Sequence, residues 1–153
     1  MMNSMRRHTF LRTLAAFPLL AALPALAAGP QVIVYKTPTC GCCGKWVEHL
    51  KANRFEPVVK EVPSTAEYRR QYGVPDKLLS CHTATVGGYT IEGHVPAADI
   101  HRLLKTRPKA KGLAVPGMPL GSPGMEARRR DAYSVLLFHA DGRTSVYQKY
   151  PGD

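Results

Sequence analysis

The run Gln31-Val-Ile-Val-Tyr-Lys36 is β-branched and aromatic, begins just after Pro30, and reads as a buried strand closed by Pro38-Thr39. From Cys43 the period changes: Trp46, Val47 and Leu50 fall on one helix face, with Lys45, Glu48 and Lys51 on the other. Pro57 to Val62 reads as a second strand. Pro63-Ser64, with Glu67 three residues on, resembles a capped helix start running to Gln71 or Tyr72, where Gly73 stops it. Thr83–Val86 and Tyr89–Glu92 flank Gly87-Gly88, a two-residue hairpin signal. Val95-Pro96 then opens a helix on which Ile100, Leu103 and Leu104 repeat at helical spacing. Strand, helix, strand, helix, hairpin, helix is the order of a thioredoxin-like α/β fold, a mixed sheet with helices on both faces. Gly112 to Gly124 carries three prolines and four glycines, which predicts a long ordered loop or a mobile flap without regular structure. Tyr133–Phe138 and Thr144–Tyr147, around Ala140-Asp-Gly-Arg143, predict an additional C-terminal hairpin.

The first 27 residues follow a different pattern. Arg6, Arg7 and Arg12 make a basic opening, and Leu14 to Leu26 is a nearly unbroken apolar run with no polar face. About 13 residues are too few for the ~20 that span a bilayer, and Ala25-Leu26-Ala27 supplies the small residues of a cleavage site. Residues 1–27 are therefore expected to be a signal peptide, cut after Ala27 or one residue later. A single domain over 28–153 would remain, in the periplasm, with no stable membrane insertion. Arg6-Arg7 invites a twin-arginine reading, but the spacing to Phe10-Leu11 matches it imperfectly, so the export route stays open. Cleavage removes three arginines and no acid, lowering the formal charge from +10 to +7. The surplus is scattered apart from Lys105 to Lys111 and Arg128-Arg129-Arg130, and no base-reading motif accompanies it. Nucleic acid is not an expected partner.

A domain of this length buries a core without disulfides, so its four cysteines are free for chemistry. Cys40 and Cys43 have the C-x-x-C spacing and sit after a strand at the opening of a helix. There, backbone N–H groups and the positive helix end stabilise a thiolate, making it a better nucleophile and a better metal ligand. Cys42 departs from a redox pair by adding a third soft ligand. Cys81 lies just before the strand that opens the hairpin, where the thioredoxin topology carries a cis-proline loop packed against the C-x-x-C turn. No proline occupies that position here, which favours a ligand role for Cys81 over peptide clamping.

Thiolates select copper(I), zinc and iron–sulfur clusters. Structural zinc uses C-x-x-C knuckles in pairs, whereas Cys40, Cys42 and Cys43 crowd one turn and can bridge, so copper(I) is preferred, with more than one ion sharing sulfurs. His82 adjoins Cys81, and His94 follows the second hairpin strand. Each could complete the site or be an ordinary polar loop residue. Met118 and Met125 flank the Gly/Pro loop, where each is a thioether ligand or a gap-filling hydrophobe. His49, His101 and His139 fall on predicted helix or strand surface and are not candidates. Two rivals stay open. One is a thiol–disulfide oxidoreductase in which Cys40 attacks and Cys43 resolves; the other is a protein with two structural disulfides.

The segments Tyr35-Lys-Thr-Pro-Thr-Cys-Gly-Cys-Cys-Gly-Lys-Trp46, Ser80-Cys-His-Thr83, Gly87-Gly-Tyr-Thr-Ile-Glu-Gly-His-Val-Pro96, Gly112-Leu-Ala-Val-Pro-Gly-Met-Pro119 and Gly121-Ser-Pro-Gly-Met125 carry a resemblance. Over Val32 to about Tyr150 the chain resembles the CopG-like copper-resistance proteins, long catalogued as a domain of unknown function. The resemblance implies a periplasmic thioredoxin-like domain that binds copper through its cysteines and interconverts copper redox states during detoxification. Other periplasmic copper-handling proteins are then the expected partners.

Overall fold

A computed structural model describes residues 28–153. The signal peptide expected over 1–27 lies outside them. The elements are β1 (Gln31–Lys36), α1 (Gly41–Ala52), β2 (Glu56–Glu61), α2 (Ala66–Gln71), a 3-10 turn (Asp76–Leu78), β3 (Thr83–Val86), β4 (Tyr89–Glu92), α3 (Ala97–Thr106), β5 (Gly112–Ala114), β6 (Tyr133–Phe138) and β7 (Thr144–Tyr150). No helix among the described residues is long and apolar enough to cross a membrane.

All seven strands form one mixed sheet in the order β2-β1-β3-β4-β5-β6-β7. β1 pairs parallel to β2 and β4 parallel to β5, while the other neighbours are antiparallel. Alternation along the strands divides the side chains between two faces. Val32 and Val34 of β1, Ala84 and Val86 of β3, Ile91 of β4 and Leu113 of β5 join Trp46, Val47 and Leu50 of α1 and Ile100 and Leu103 of α3 in the main core. The opposite face meets α2 and the 3-10 turn. There Tyr35 stacks on Tyr68 at 4.1 Å between ring centroids, and Ala114 and Phe138 pack with Val74 and Leu78. Helices thus cover both faces, as the sequence pattern predicts.

The predicted structureless stretch from Gly112 to Gly124 begins instead with a strand. Gly112-Leu-Ala114 is too short to show a period, but it fits between β4 and β6 and takes ladder bonds from both. A Cβ at Gly112 would collide with the backbone of Thr90, so the approach of β5 to β4 requires glycine there. β7 also runs three residues past the predicted Tyr147, because Gln148, Lys149 and Tyr150 continue the pairing with β6 beyond a bulge between Val135 and Leu136.

One row of register places the functional end of the sheet. Tyr35 of β1 stands opposite Thr83 of β3, and Thr83 opposite Glu92 of β4. The exit of β1, the entrance to β3 and the exit of β4 therefore open side by side. The chain segments leaving that row carry Cys40 to Cys43, Cys81-His82 and His94.

Candidate metal centre

Cys40 is the N-cap of α1, and Cys42 and Cys43 lie in its first turn, which contains no acidic residue. The positive end of the helix lies at this turn, although Cys40 makes no side-chain capping bond. Cys40 and Cys43 are joined as a disulfide, with Cα atoms 5.4 Å apart. Cys42 and Cys81 are free and half-buried. Cys81 Sγ lies 3.5 Å from Cys43 Sγ and 3.9 Å from Cys42 Sγ, and Cys42 Sγ lies 3.6 Å from Cys40 Sγ. All four sulfurs fall within 4.8 Å of one another.

Two buried imidazoles close the inner side. His94 Nε2 is 3.1 Å and His82 Nδ1 is 3.3 Å from Cys81 Sγ. His94 holds the carbonyl of Pro123 through Nδ1 at 2.7 Å, which places the proton on Nδ1 and turns the Nε2 lone pair toward the sulfurs. His82 packs beneath the Trp46 ring at 4.3 Å between centroids, and its Nε2 has no hydrogen-bond partner. Leaving such a group buried and unpaired costs about 1–3 kcal/mol, so the pocket holds this ring at some expense to stability. Burial, then the proximity of His94 and Lys36, pushes His82 down to about 3, and burial lowers His94 as well; both rings are thus kept neutral, the form that ligates metal. Burial, then neighbouring Cys42, pushes the Cys81 thiol up to about 12, so a metal entering here displaces a proton.

The loop carrying Cys81 and His82 is pinned from below by a residue that sequence reasoning missed. Glu92 is fully buried, accepts from Ser80 N–H at 2.9 Å and from the Thr83 hydroxyl at 2.6 Å, and stands 3.7 Å from the Arg69 guanidinium. Its two bonds straddle the Cys81-His82 pair. The available signal was one carboxylate closing the otherwise uncharged strand Tyr-Thr-Ile-Glu. Burial raises the Glu92 pKa against the opposing pull of Thr83, Ser80 and Arg69.

From above, the Gly/Pro segment closes over the site. Gly124 has φ +88°, and a Cβ there would lie 2.7 Å from Cys42 O and 2.9 Å from Trp46 N. Gly124→Ala is expected to cost at least about 1–2 kcal/mol, from left-handed backbone alone, and to push the segment off Cys42. Urea denaturation measures it; a change below about 0.5 kcal/mol would show that the segment does not rest on the cysteine turn. Met125 follows Gly124 and is half-buried, whereas Met118 is 51% exposed on a loop tied to Ser80 by a 2.5 Å bond from the serine hydroxyl to Gly117 O. The chain thus brings Cys40, Cys42, Cys43, Cys81, His82 and His94 together and sets both methionines on the segments around them. His49 instead accepts from Ala97 N–H at the start of α3, and His101 stacks on Phe55, both structural roles.

Two solved structures of the copper resistance protein CopG, described as forms 1 and 2, are similar in fold to the chain, with TM-scores of 0.76 and 0.77. They are 44% and 43% identical to the chain, and the match covers 80% of it and 98% and 99% of theirs. The chain belongs to the CopG family of copper resistance proteins. Residues 78–125 also match a family described as "Protein of unknown function, DUF411", a span that contains Cys81, His82, His94, Met118 and Met125 of this CopG relative. No curated protein matches the chain.

Proposed function

We propose that this CopG-family protein binds copper(I) in the periplasm, on a thioredoxin-like domain formed by residues 28–153 after removal of a signal peptide. The observation that carries the reading is the gathering of four cysteine sulfurs within 4.8 Å at a helix N-terminus. Once the Cys40–Cys43 bond is reduced, Cys40, Cys42, Cys43 and Cys81 offer soft thiolates close enough to be shared between ions, which is the chemistry of polynuclear copper(I). His82 and His94 supply nitrogen at the inner side, and Met118 and Met125 supply thioether from the covering segment. The family's name for its solved members, copper resistance proteins, agrees with sequestration of the ion in this site. Interconversion of copper redox states is the further step proposed for the same residues, since sulfur favours the cuprous ion while imidazole accepts both states. Copper ions, and other periplasmic proteins that donate or accept them, are the partners.

The test is anaerobic titration of the reduced chain with copper(I) against a competing chelator. More than one equivalent bound, with thiolate-to-copper absorption in the ultraviolet, is expected; no binding in competition with the chelator would remove the reading. The disulfide between Cys40 and Cys43 favours one alternative, a thiol–disulfide oxidoreductase with Cys40 as the attacking sulfur. Cys42→Ser separates the two. Under the copper reading it lowers copper(I) binding and leaves any disulfide reductase activity mostly intact, because Cys40 and Cys43 stay paired. The reverse pattern would establish the oxidoreductase.

A further inference from the structure

The two basic runs of the chain lie at opposite ends of the sheet. β4 and β5 run parallel, with Thr90 beside Gly112 and Glu92 beside Ala114, so Lys111 enters β5 at the end away from Glu92 and the metal centre. Gly112 also stands beside Phe138, which brings the β6–β7 turn, His139 to Arg143, to that same far end. Arg128-Arg129-Arg130 precede β6 at the metal end, and there Arg129 pairs with Asp131 and Arg130 with Asp153. Lys105, Arg107, Lys109 and Lys111, by contrast, make no ion pair among the described residues.

The far end is shaped as well as charged. Lys109, Lys111, His139 and Arg143 line an open concavity of about 460 Å³, and the acid in its lining, Asp141, is paired with Arg143 at 2.7 Å. Backbone bonds hold its walls together: Lys111 N–H donates to Phe138 O at 2.8 Å, and Thr90 N–H to Lys111 O at 3.0 Å. The Arg107 guanidinium donates to Gly87 O at 2.9 Å, and the Tyr89 hydroxyl to Pro108 O at 2.8 Å, which tie the basic loop to the β3–β4 hairpin. The charges are therefore gathered at one end by a fixed loop.

We propose that this end docks on an anionic phospholipid surface and holds the metal centre away from it. A protein partner needs an apolar interface core, rich in Met and Arg and poor in Lys. The exposed large apolar side chains lie elsewhere: Leu79 and Met118 around the metal centre, Val58, Val59 and Val146 on the edge strands. A small anion needs donors fixed in a desolvated cradle, whereas Lys105, Arg107 and Lys109 are exposed and three of the four cations are lysines on flexible stems. Loose cations without an apolar centre match a surface of mobile phosphates. Each basic side chain there is worth about fivefold in affinity, so four give roughly several-hundred-fold, a reversible attachment rather than an anchor. The docking is independent of bound copper.

The experiment uses residues 28–153, the whole described fold, because the apolar run from Leu14 to Leu26 would partition into lipid by itself. Vesicles of phosphatidylcholine with about a quarter phosphatidylglycerol should sediment the protein at about 0.01 M salt and release it at about 1 M, as the Debye length falls from about 30 Å to about 3 Å. Vesicles of phosphatidylcholine alone should leave it in solution. Lys105→Gln, Lys109→Gln and Lys111→Gln together should weaken binding about 100-fold at about 0.1 M salt, while the charge-matched Arg128→Gln, Arg129→Gln, Arg130→Gln chain stays within about threefold. Circular dichroism and copper(I) titration of the lysine variant should match the parent, so failure of the docking surface and failure of the copper reading register separately. Equal losses in the two variants would mean that net charge alone acts and would overturn the proposal. So would binding to neutral vesicles, no binding to anionic ones, or displacement by inorganic phosphate at matched ionic strength, the last pointing to a site for free phosphate.

Discussion

Cys81→Ser is expected to weaken copper(I) binding by at least ~100-fold, about 2.8 kcal/mol, and to lower the number of ions bound while the fold survives. Removing an outer-shell partner of a metal ligand costs about 10–100-fold in affinity, and in the proposed site Cys81 is itself a donor, the one common to both candidate clusters. Serine nearly conserves size but replaces a soft sulfur by a hard hydroxyl. The core does not depend on Cys81, which is half-buried and outside the cluster built on Val34, Trp46 and Leu103. Copper per protein, measured with circular dichroism as the folding control, reads the effect. Unchanged stoichiometry and affinity would mean that Cys81 does not share a site with the helix-start cysteines.

The convergence of Cys81 on Cys40 was legible in the sequence because it depends on topology. A strand that feeds a cysteine turn and a strand entered through Ser80-Cys81 become neighbours once the hairpin signal at Gly87-Gly88 fixes the direction of β3. β1 was legible as a β-branched and aromatic run after Pro30, and β3, β4 and β6 as runs flanking the turn signals at Gly87-Gly88 and Asp141-Gly142. β5 was hidden for the opposite reason: three residues cannot display a period, and Gly112 reads as a breaker unless the backbone of Thr90 is known to lie against it. The Glu92–Arg69 pair was also invisible, because 23 positions separate a strand-end carboxylate from an arginine on a charged helix, and nothing local says that both turn inward.

That pair carries the largest expected effect on stability. Glu92→Ala is expected to destabilise the fold by about 3–5 kcal/mol, because it strands the Arg69 charge with only 11% of its side chain exposed. It also leaves Ser80 N–H and the Thr83 hydroxyl without their acceptor. Glu92→Gln keeps a carbonyl oxygen for one of those donors and should cost less. Equilibrium urea denaturation of the two variants gives the ranking. A loss below about 1 kcal/mol for Glu92→Ala would show that Arg69 and the Cys81 loop find other partners. Because Glu92 grips the chain on either side of Cys81-His82, the more conservative Glu92→Gln protein should also bind copper(I) more weakly while still folded. The same carboxylate would then set both the stability of the sheet end and the aim of its ligands.

Copper K-edge X-ray absorption on the reduced, copper(I)-loaded chain tests the central claim most directly, because it reads the atoms around the ion rather than the consequences of removing one. The account predicts a cuprous edge and a first shell made mainly of sulfur, with a minor nitrogen contribution from His82 and His94 and copper–copper scattering from ions that share the sulfurs of Cys40, Cys42, Cys43 and Cys81. A first shell of nitrogen and oxygen with no sulfur would contradict it.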